Sequence, residues 1–108
     1  MKLRGKWRIV ELPGYGADYR DMMGPAFIDF EPGAGEFAFG CVTGSFPGTV
    51  AGDAVEFDWT GNDEMDEACG HGWAERQTDG TVIGEIQVHN RDDIPFIAKP
   101  WSTSSTAC

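Results

Sequence analysis

Acidic, thiol and imidazole side chains are concentrated between residues 63 and 71. This segment ends in Cys69 and His71, which are two positions apart. On an extended strand their side chains would face the same side, so they could provide two ligands to Zn²⁺. A tetrahedral zinc site takes three or four protein ligands, so a carboxylate or Cys41 would have to supply at least the third. The spacing matches neither a zinc motif nor a calcium-binding loop, and we therefore predict an acidic, solvated loop with no metal or other cofactor.

A second group of polar side chains has the residue types of an acid–base site. Tyr15, Tyr19, Arg20 and Asp21 lie close together in the sequence, and some barrel enzymes use Tyr, Arg and Glu side chains for decarboxylation or isomerisation. A general base is assigned from its geometry before its pKa, and a sequence supplies no geometry. The chain also lacks a nucleophile elbow, a phosphate-binding loop and a His-Glu-x-x-His motif. We predict no catalytic residue and keep a barrel enzyme as the third functional hypothesis.

Aromatic residues provide the third candidate site, which is a binding cavity. The chain has seven Phe, four Trp and two Tyr, and rings of this size either fill a small core or line a pocket for a flat apolar ligand. An eight-stranded barrel is just wide enough for either outcome. The predicted inward-facing set is Trp7, Phe30, Phe37, Phe39, Phe57, Trp59, Trp73 and Phe96.

Short alternating segments between Gly- and Pro-rich turns must position these rings. Alternation predicts strands over residues 3–12, 26–31, 36–41, 45–51, 54–60, 72–77, 81–89 and 94–101, with residues 61–70 as a polar connection. At roughly 11 residues per strand and turn, the chain has room for about eight strands. Since most connections are short, we predict an all-β, up-and-down antiparallel barrel. The rival two-sheet sandwich would need longer crossovers.

The segment 13–25 interrupts this pattern and predicts one short helix or turn near residues 14–24. Asp18 could cap the helix, and the segment could cover the open end of the barrel as a lid carrying Tyr19, Arg20, Met22 and Met23. Residues 1–101 are predicted to form a single domain, and the small polar residues 102–108 a flexible tail.

The first predicted strand opens with Gly5-Lys6-Trp7. This G-x-W motif resembles the first-strand signature of the calycin superfamily, which includes lipocalins, fatty-acid-binding proteins and avidins. The resemblance implies a barrel in which Trp7 packs across one end, against a basic side chain near the final strand such as Arg91 or Lys99. More loosely, the whole chain resembles a group of short bacterial proteins without an assigned function.

Charge restricts the partners. Eight Lys and Arg stand against 18 Asp and Glu, which gives a net charge of −10. Such a field repels nucleic acids and anionic membranes, so we expect neither as a partner. Without a signal-peptide core or an even cysteine framework, the expected compartment is the cytoplasm.

Two functional hypotheses are preferred over the barrel enzyme. The first is a lipocalin-like protein that binds a small apolar or aromatic ligand, neutral or cationic, inside the barrel. The second is a protein-interaction or assembly module with a packed interior, whose contacts lie on the outer face near Phe27, Ile83 and Ile97. Self-association is compatible with both. A large cavity would favour the first hypothesis, and a filled interior the second.

Overall fold

The protein is an all-β barrel closed by eight antiparallel strands in sequence order, as a computed structural model shows. The structure describes residues 5–22, 24–31, 33–47, 53–89 and 93–101. Its elements are β1 (Gly5–Glu11), α1 (Ala17–Arg20), β2 (Phe27–Glu31), β3 (Ala34–Phe39), β4 (Val42–Pro47), β5 (Ala54–Asp63), β6 (Asp66–Arg76), β7 (Val82–Val88) and β8 (Asp93–Pro100). The predicted fold class and the short helix are therefore confirmed. The predicted tail, 102–108, lies outside the described residues.

Each strand pairs with its neighbour in the sequence, and β8 pairs with β1 to close the barrel. Closure removes the free strand edges that would otherwise invite pairing with other chains. In the β1–β8 pair, Ile9 faces Ala98 and Glu11 faces Ile97, so Val10 is one residue extra on β1. This β-bulge explains why the alternation of β1 is imperfect at Val10.

The connection predicted over residues 61–70 is instead part of a long β-hairpin. β5 continues to Asp63, β6 begins at Asp66, and these two residues face each other across the turn. The turn itself is Glu64 and Met65, and Glu64 has a positive φ of 58°. Polar composition concealed these strands because most side chains near the hairpin tip are exposed.

Aromatic rings fill the inside of the barrel. Phe37 packs edge-on against Trp59, with their ring centroids 5.1 Å apart, and Phe46 stacks on Phe57 at 4.0 Å. The indole N–H of Trp59 donates a hydrogen bond to the carbonyl of His71 at 3.1 Å, which satisfies the one polar atom that this ring buries.

Four inward-facing glycines make room for these rings. Each lies directly opposite an aromatic residue on a neighbouring strand, and a Cβ atom added at the glycine would collide with the opposite ring. The pairs are Gly35 with Phe46, Gly44 with Phe37, Gly72 with Phe57, and Gly84 with Phe96. These four rings therefore occupy the space that a side chain at the opposite position would otherwise fill.

Candidate functional site

Asp21 holds the β1–β2 connection against the barrel. Its carboxylate accepts two hydrogen bonds from Arg8 at 3.0 Å each, two from Arg20 at 3.2 and 2.9 Å, and one from the backbone N–H of Ala26 at 3.1 Å. The hydrogen bonds from Arg8 and then from Arg20 hold the pKa of Asp21 well below its usual range. Two guanidinium groups thus share one carboxylate.

Arg20 also forms a hydrogen bond with the β1 bulge. Its Nη1 atom donates a hydrogen bond to the carbonyl of Val10, the extra residue of that bulge. Arg20 is therefore committed to contacts within the chain. Of the predicted polar cluster, Arg20 and Asp21 fix the connection in place, which leaves the tyrosines for other contacts.

Tyr15 and Tyr19 lie over the turn between β3 and β4. Their rings stack with centroids 5.1 Å apart, and the Tyr19 ring covers Gly40 so closely that a Cβ there would collide with it. The Gly40 N–H donates to the carbonyl of Arg20 at 3.0 Å. Partial burial, with a smaller contribution from the Asp63 carboxylate, raises the pKa of Tyr19, which therefore stays neutral near pH 7.

Cys41 links the β1–β2 connection to the β5–β6 turn, which carries Met65. The Sγ atom of Cys41 lies 3.3 Å from the Sδ atom of Met22, and the carbonyl of Cys41 accepts a hydrogen bond from the Glu64 N–H at 2.8 Å. Partial burial, together with the carboxylates of Glu64 and Asp63, raises the pKa of the Cys41 thiol. The Cys41 sulfur thus lies in the contact between these two turns.

These turns expose an apolar patch at one end of the barrel. Among the described residues, the exposed large hydrophobic side chains are Tyr15 at 41%, Met22 at 55% and Met65 at 97%, and all three belong to this end. We call these three residues the turn-end patch. Acidic residues surround it on the same turns and strand ends: Asp18, Asp63, Glu64, Asp66 and Glu67. We call these residues the acidic rim, and the surface at this end is therefore both apolar and negative.

The predicted lid residues belong to this end of the molecule, except Met23, which lies outside the described residues. Tyr19 and Arg20 are half-buried and Met22 is exposed. The segment thus packs over the β3–β4 turn, and its role as a lid stays a prediction.

Seven of the eight residues predicted to line the interior are buried there, each with at most 7% of its surface exposed. Trp73 is the exception, and its predicted inward orientation is wrong. Gly72 and Ala74 face the interior, so Trp73, which lies between them on β6, faces outward and is half-buried. The sequence reasoning also missed Phe46, which is 4% exposed and faces inward, because Pro47 made its strand look irregular.

The interior around the central rings is filled. A side chain that lines a void wide enough for water keeps some accessible surface, yet Phe30, Phe37, Trp59 and Phe96 retain at most 1% of theirs. Rings from neighbouring strands contact one another instead. A small ligand could therefore enter this part of the barrel only by displacing a ring.

Cys69, His71 and His89 all lie on the outer face of the barrel. His71 contacts Asp58, which faces it across the β5–β6 pair. Cys69 and His71 are exposed, whereas Cys41, one of the possible third ligands, is half-buried. Within the described ranges, no three His, Cys, Asp or Glu side chains are arranged to hold a metal ion. The absence of a bound metal stays a prediction.

The basic partner expected for Trp7 is not Lys99. Trp7 is buried at 4% exposure, whereas Lys99 is exposed and pairs with Arg8 on the outer face. Arg91 lies outside the described residues. Phe27, Ile83 and Ile97 are on the outer face, as expected, and are half-buried there.

Fold and surface together define a closed, eight-stranded antiparallel barrel with a ring-filled interior and an apolar, acid-rimmed end. No protein-family model, curated protein or solved structure matches this chain. The calycin resemblance therefore stays a prediction. The structure shares a closed eight-stranded barrel with the expected fold. Among the described residues, no helix has the length and apolar composition needed to cross a membrane.

Proposed function

We propose that this barrel is a protein-interaction module that contacts its partner through the turn-end patch. The observation that carries the proposal is that Tyr15 and Met22 of the β1–β2 connection and Met65 of the distant β5–β6 turn are exposed at the same end. Exposed apolar groups gathered in one place and rimmed by polar residues are typical of interaction sites. Methionine suits such a surface because its unbranched side chain adapts to different partners.

The filled interior supports this proposal over a small-molecule carrier. The rings expected to line a ligand cavity contact one another and retain almost no accessible surface. A carrier would have to move several of them out of tight packing before it could bind, and that rearrangement would reduce the affinity.

The acidic rim indicates the chemistry of the partner. Asp18, Glu64, Asp66 and Glu67 are exposed around the patch, and Arg20, the described arginine closest to Asp18 in the chain, is already bound to Asp21. The complementary surface would present aliphatic side chains next to Lys or Arg. We therefore expect the partner to be a basic, amphipathic protein segment.

The test is a titration of ¹⁵N-labelled protein with three synthetic peptides of equal length, built from Lys and Leu, from Glu and Leu, or from Lys and Ser. The Lys/Leu peptide should shift the signals of the turn-end patch in a saturable way. The other two should bind at least about tenfold more weakly, since each lacks one of the two complementary properties.

A Met22→Gln/Met65→Gln variant should weaken Lys/Leu binding about tenfold, whereas the matched outer-face variant Ile83→Gln/Ile97→Gln should not. Shifts spread evenly over the barrel, or binding indifferent to the methionine changes, would refute the proposal. Saturable shifts of the interior Phe37 and Trp59 ring signals by a small aromatic compound would instead support the carrier hypothesis.

A further inference from the structure

The outward orientation of Trp73 places a large ring on an acidic part of the barrel wall. Alternation along β6 buries Gly72 and Ala74 and turns Trp73 outward, where its side chain is half-buried between neighbouring strands. The ring contributes nothing to the barrel core. It is also remote from the turn-end patch, since eight residues of extended chain, about 26 Å, separate it from Met65.

Two glutamates flank Trp73 directly. Glu56 of β5 faces it on one side and Glu85 of β7 faces it on the other, so the three residues form one row across the outer face. Directly paired residues on one face of a sheet have Cβ atoms about 4.5–5.5 Å apart. Glu75 lies two positions further along β6 and therefore projects from the same face. The ring is thus surrounded by carboxylates.

Trp101 offers an internal comparison. The ammonium group of Lys6 lies 4.2 Å from the Trp101 ring centroid and 4.7 Å from that of Phe27. Within the described residues, these contacts of Lys6 are the cation–ring contacts, and Trp73 takes part in none. The chain therefore covers one outer tryptophan with its own cation and places carboxylates beside the other.

We propose that Trp73, Glu56 and Glu85 form a binding site for the guanidinium group of an arginine on a partner protein. Trp is the aromatic residue that attracts cations most strongly, and a planar guanidinium can stack on its face. Glu56 and Glu85 stand about two strand spacings apart, roughly 9.5 Å, on either side of the ring. A stacked guanidinium can donate hydrogen bonds towards both carboxylates, whereas a compact ammonium cannot span them as well.

One neighbouring imidazole has to be considered. His71 precedes Trp73 by two residues on the same face, but it already contacts Asp58 across the β5–β6 pair. Gln87 donates a hydrogen bond to Glu85 at 3.0 Å, which positions that carboxylate without neutralising it. The row of Glu56, Trp73 and Glu85 therefore keeps its negative charge beside the half-buried ring.

The site is independent of the turn-end patch, and its test uses different probes. N-acetyl-arginine amide, the matching lysine amide and the neutral citrulline amide would be titrated at low salt into ¹⁵N-labelled protein. The indole N–H signals would report binding, with the Trp73 signal assigned from a Trp73→Leu variant. The arginine amide should shift the Trp73 signal in a saturable way and leave that of Trp101 unchanged, because Lys6 already covers Trp101.

Variants separate the two contributions to binding. Trp73→Phe keeps a ring with weaker attraction for cations and should weaken binding about threefold to fivefold. Glu56→Gln/Glu85→Gln should weaken it about tenfold, whereas Glu36→Gln, an exposed glutamate on β3, should have no effect. An unmoved Trp73 signal, or equal binding of the arginine and citrulline amides, would overturn the site. Tighter binding of free arginine than of the capped amide would overturn the assignment to a protein partner.

Discussion

At the scale of single residues, Asp21 carries the most concentrated electrostatic interaction that the structure describes. Its carboxylate joins β1 through Arg8, the helical turn through Arg20 and the start of β2 through the Ala26 N–H. The side chains of Arg8 and Arg20 are 28% and 20% exposed, so water screens the interaction only in part. Hydrogen bonds between charged partners are stronger than neutral ones, which makes this residue important for keeping the turn-end patch in place.

We predict that Asp21→Asn lowers the free energy of unfolding by about 1–3 kcal/mol near pH 7, because both guanidinium groups lose a charged acceptor. Since the pKa of Asp21 is lower in the folded state than its ordinary value of 3.8, its contribution is present above about pH 4 and is lost as the pH falls through the folded value. Urea unfolding of both proteins between about pH 7 and pH 2 checks this, with Asp18→Asn as the control. A difference that stays constant down to about pH 2 would contradict the prediction.

Trp73 shows why single-residue predictions from the sequence are incomplete. The alternating pattern around it is compatible with either face of β6 pointing inward, since the small residues Gly72 and Ala74 fit both the interior and the outer surface. The size of the ring favoured the inward orientation. In the structure Trp73 points outward instead, because Phe57 faces the inward Gly72 and fills the space above it. That information lies on another strand and becomes available only with the register.

At the scale of elements, pairs of glycine and aromatic residues align neighbouring strands. Gly44 on β4 faces Phe37 on β3, and the ring lies where the side chain of any larger residue would be. A shift by one residue would turn the buried rings of a strand outward, so these pairs also help to fix the register. The sequence revealed the alternating strands and the turns between them, but it did not reveal which glycine would receive which ring.

We predict that Gly44→Ala lowers the free energy of unfolding by about 1–3 kcal/mol through overpacking. The added Cβ would lie 2.6 Å from the Phe37 ring and 2.8 Å from Trp59, and both rings are held in the core. Gly16→Ala is the matched control, because Gly16 has a φ of −82° and nothing within 4 Å of the added atom. Chemical denaturation would compare the two variants with the parent protein, and equal stabilities for all three would show that the interior tolerates the extra carbon.

At the scale of the whole molecule, the length of the chain and the number of its turns were sufficient to predict the barrel. About eight short strands with short connections leave few other ways to pair every strand. The contents of the barrel were harder to predict, because the same ring count fits a packed core and a lined cavity. The inward glycines favour the packed core over the lined cavity, since rings that lie over glycines reach far enough inward to meet.

The distribution of charge leads to the last prediction, that added salt stabilises this protein. The net charge is −10, and two of the described cations, Arg8 and Arg20, are concentrated on Asp21. On the long β5–β6 hairpin Asp63 and Asp66 face each other, and none of Glu64, Asp66 and Glu67 forms an ion pair with another described residue. Like charges in a compact state destabilise it, and the Debye length shortens from about 30 Å at 0.01 M salt to about 10 Å at 0.1 M.

Raising NaCl from about 0.01 M to about 0.1 M should therefore increase the midpoint of thermal unfolding. The Glu64→Gln/Glu67→Gln variant carries two fewer negative charges at the hairpin tip, so it should start from a higher midpoint at low salt and gain less from the added NaCl. A neutral osmolyte at matched osmolality separates screening from a general solute effect, because it leaves the charges unscreened. A midpoint that is unchanged or lowered by NaCl in the parent protein would mean that its ion pairs, led by Arg8–Asp21, outweigh the repulsion among its acidic side chains.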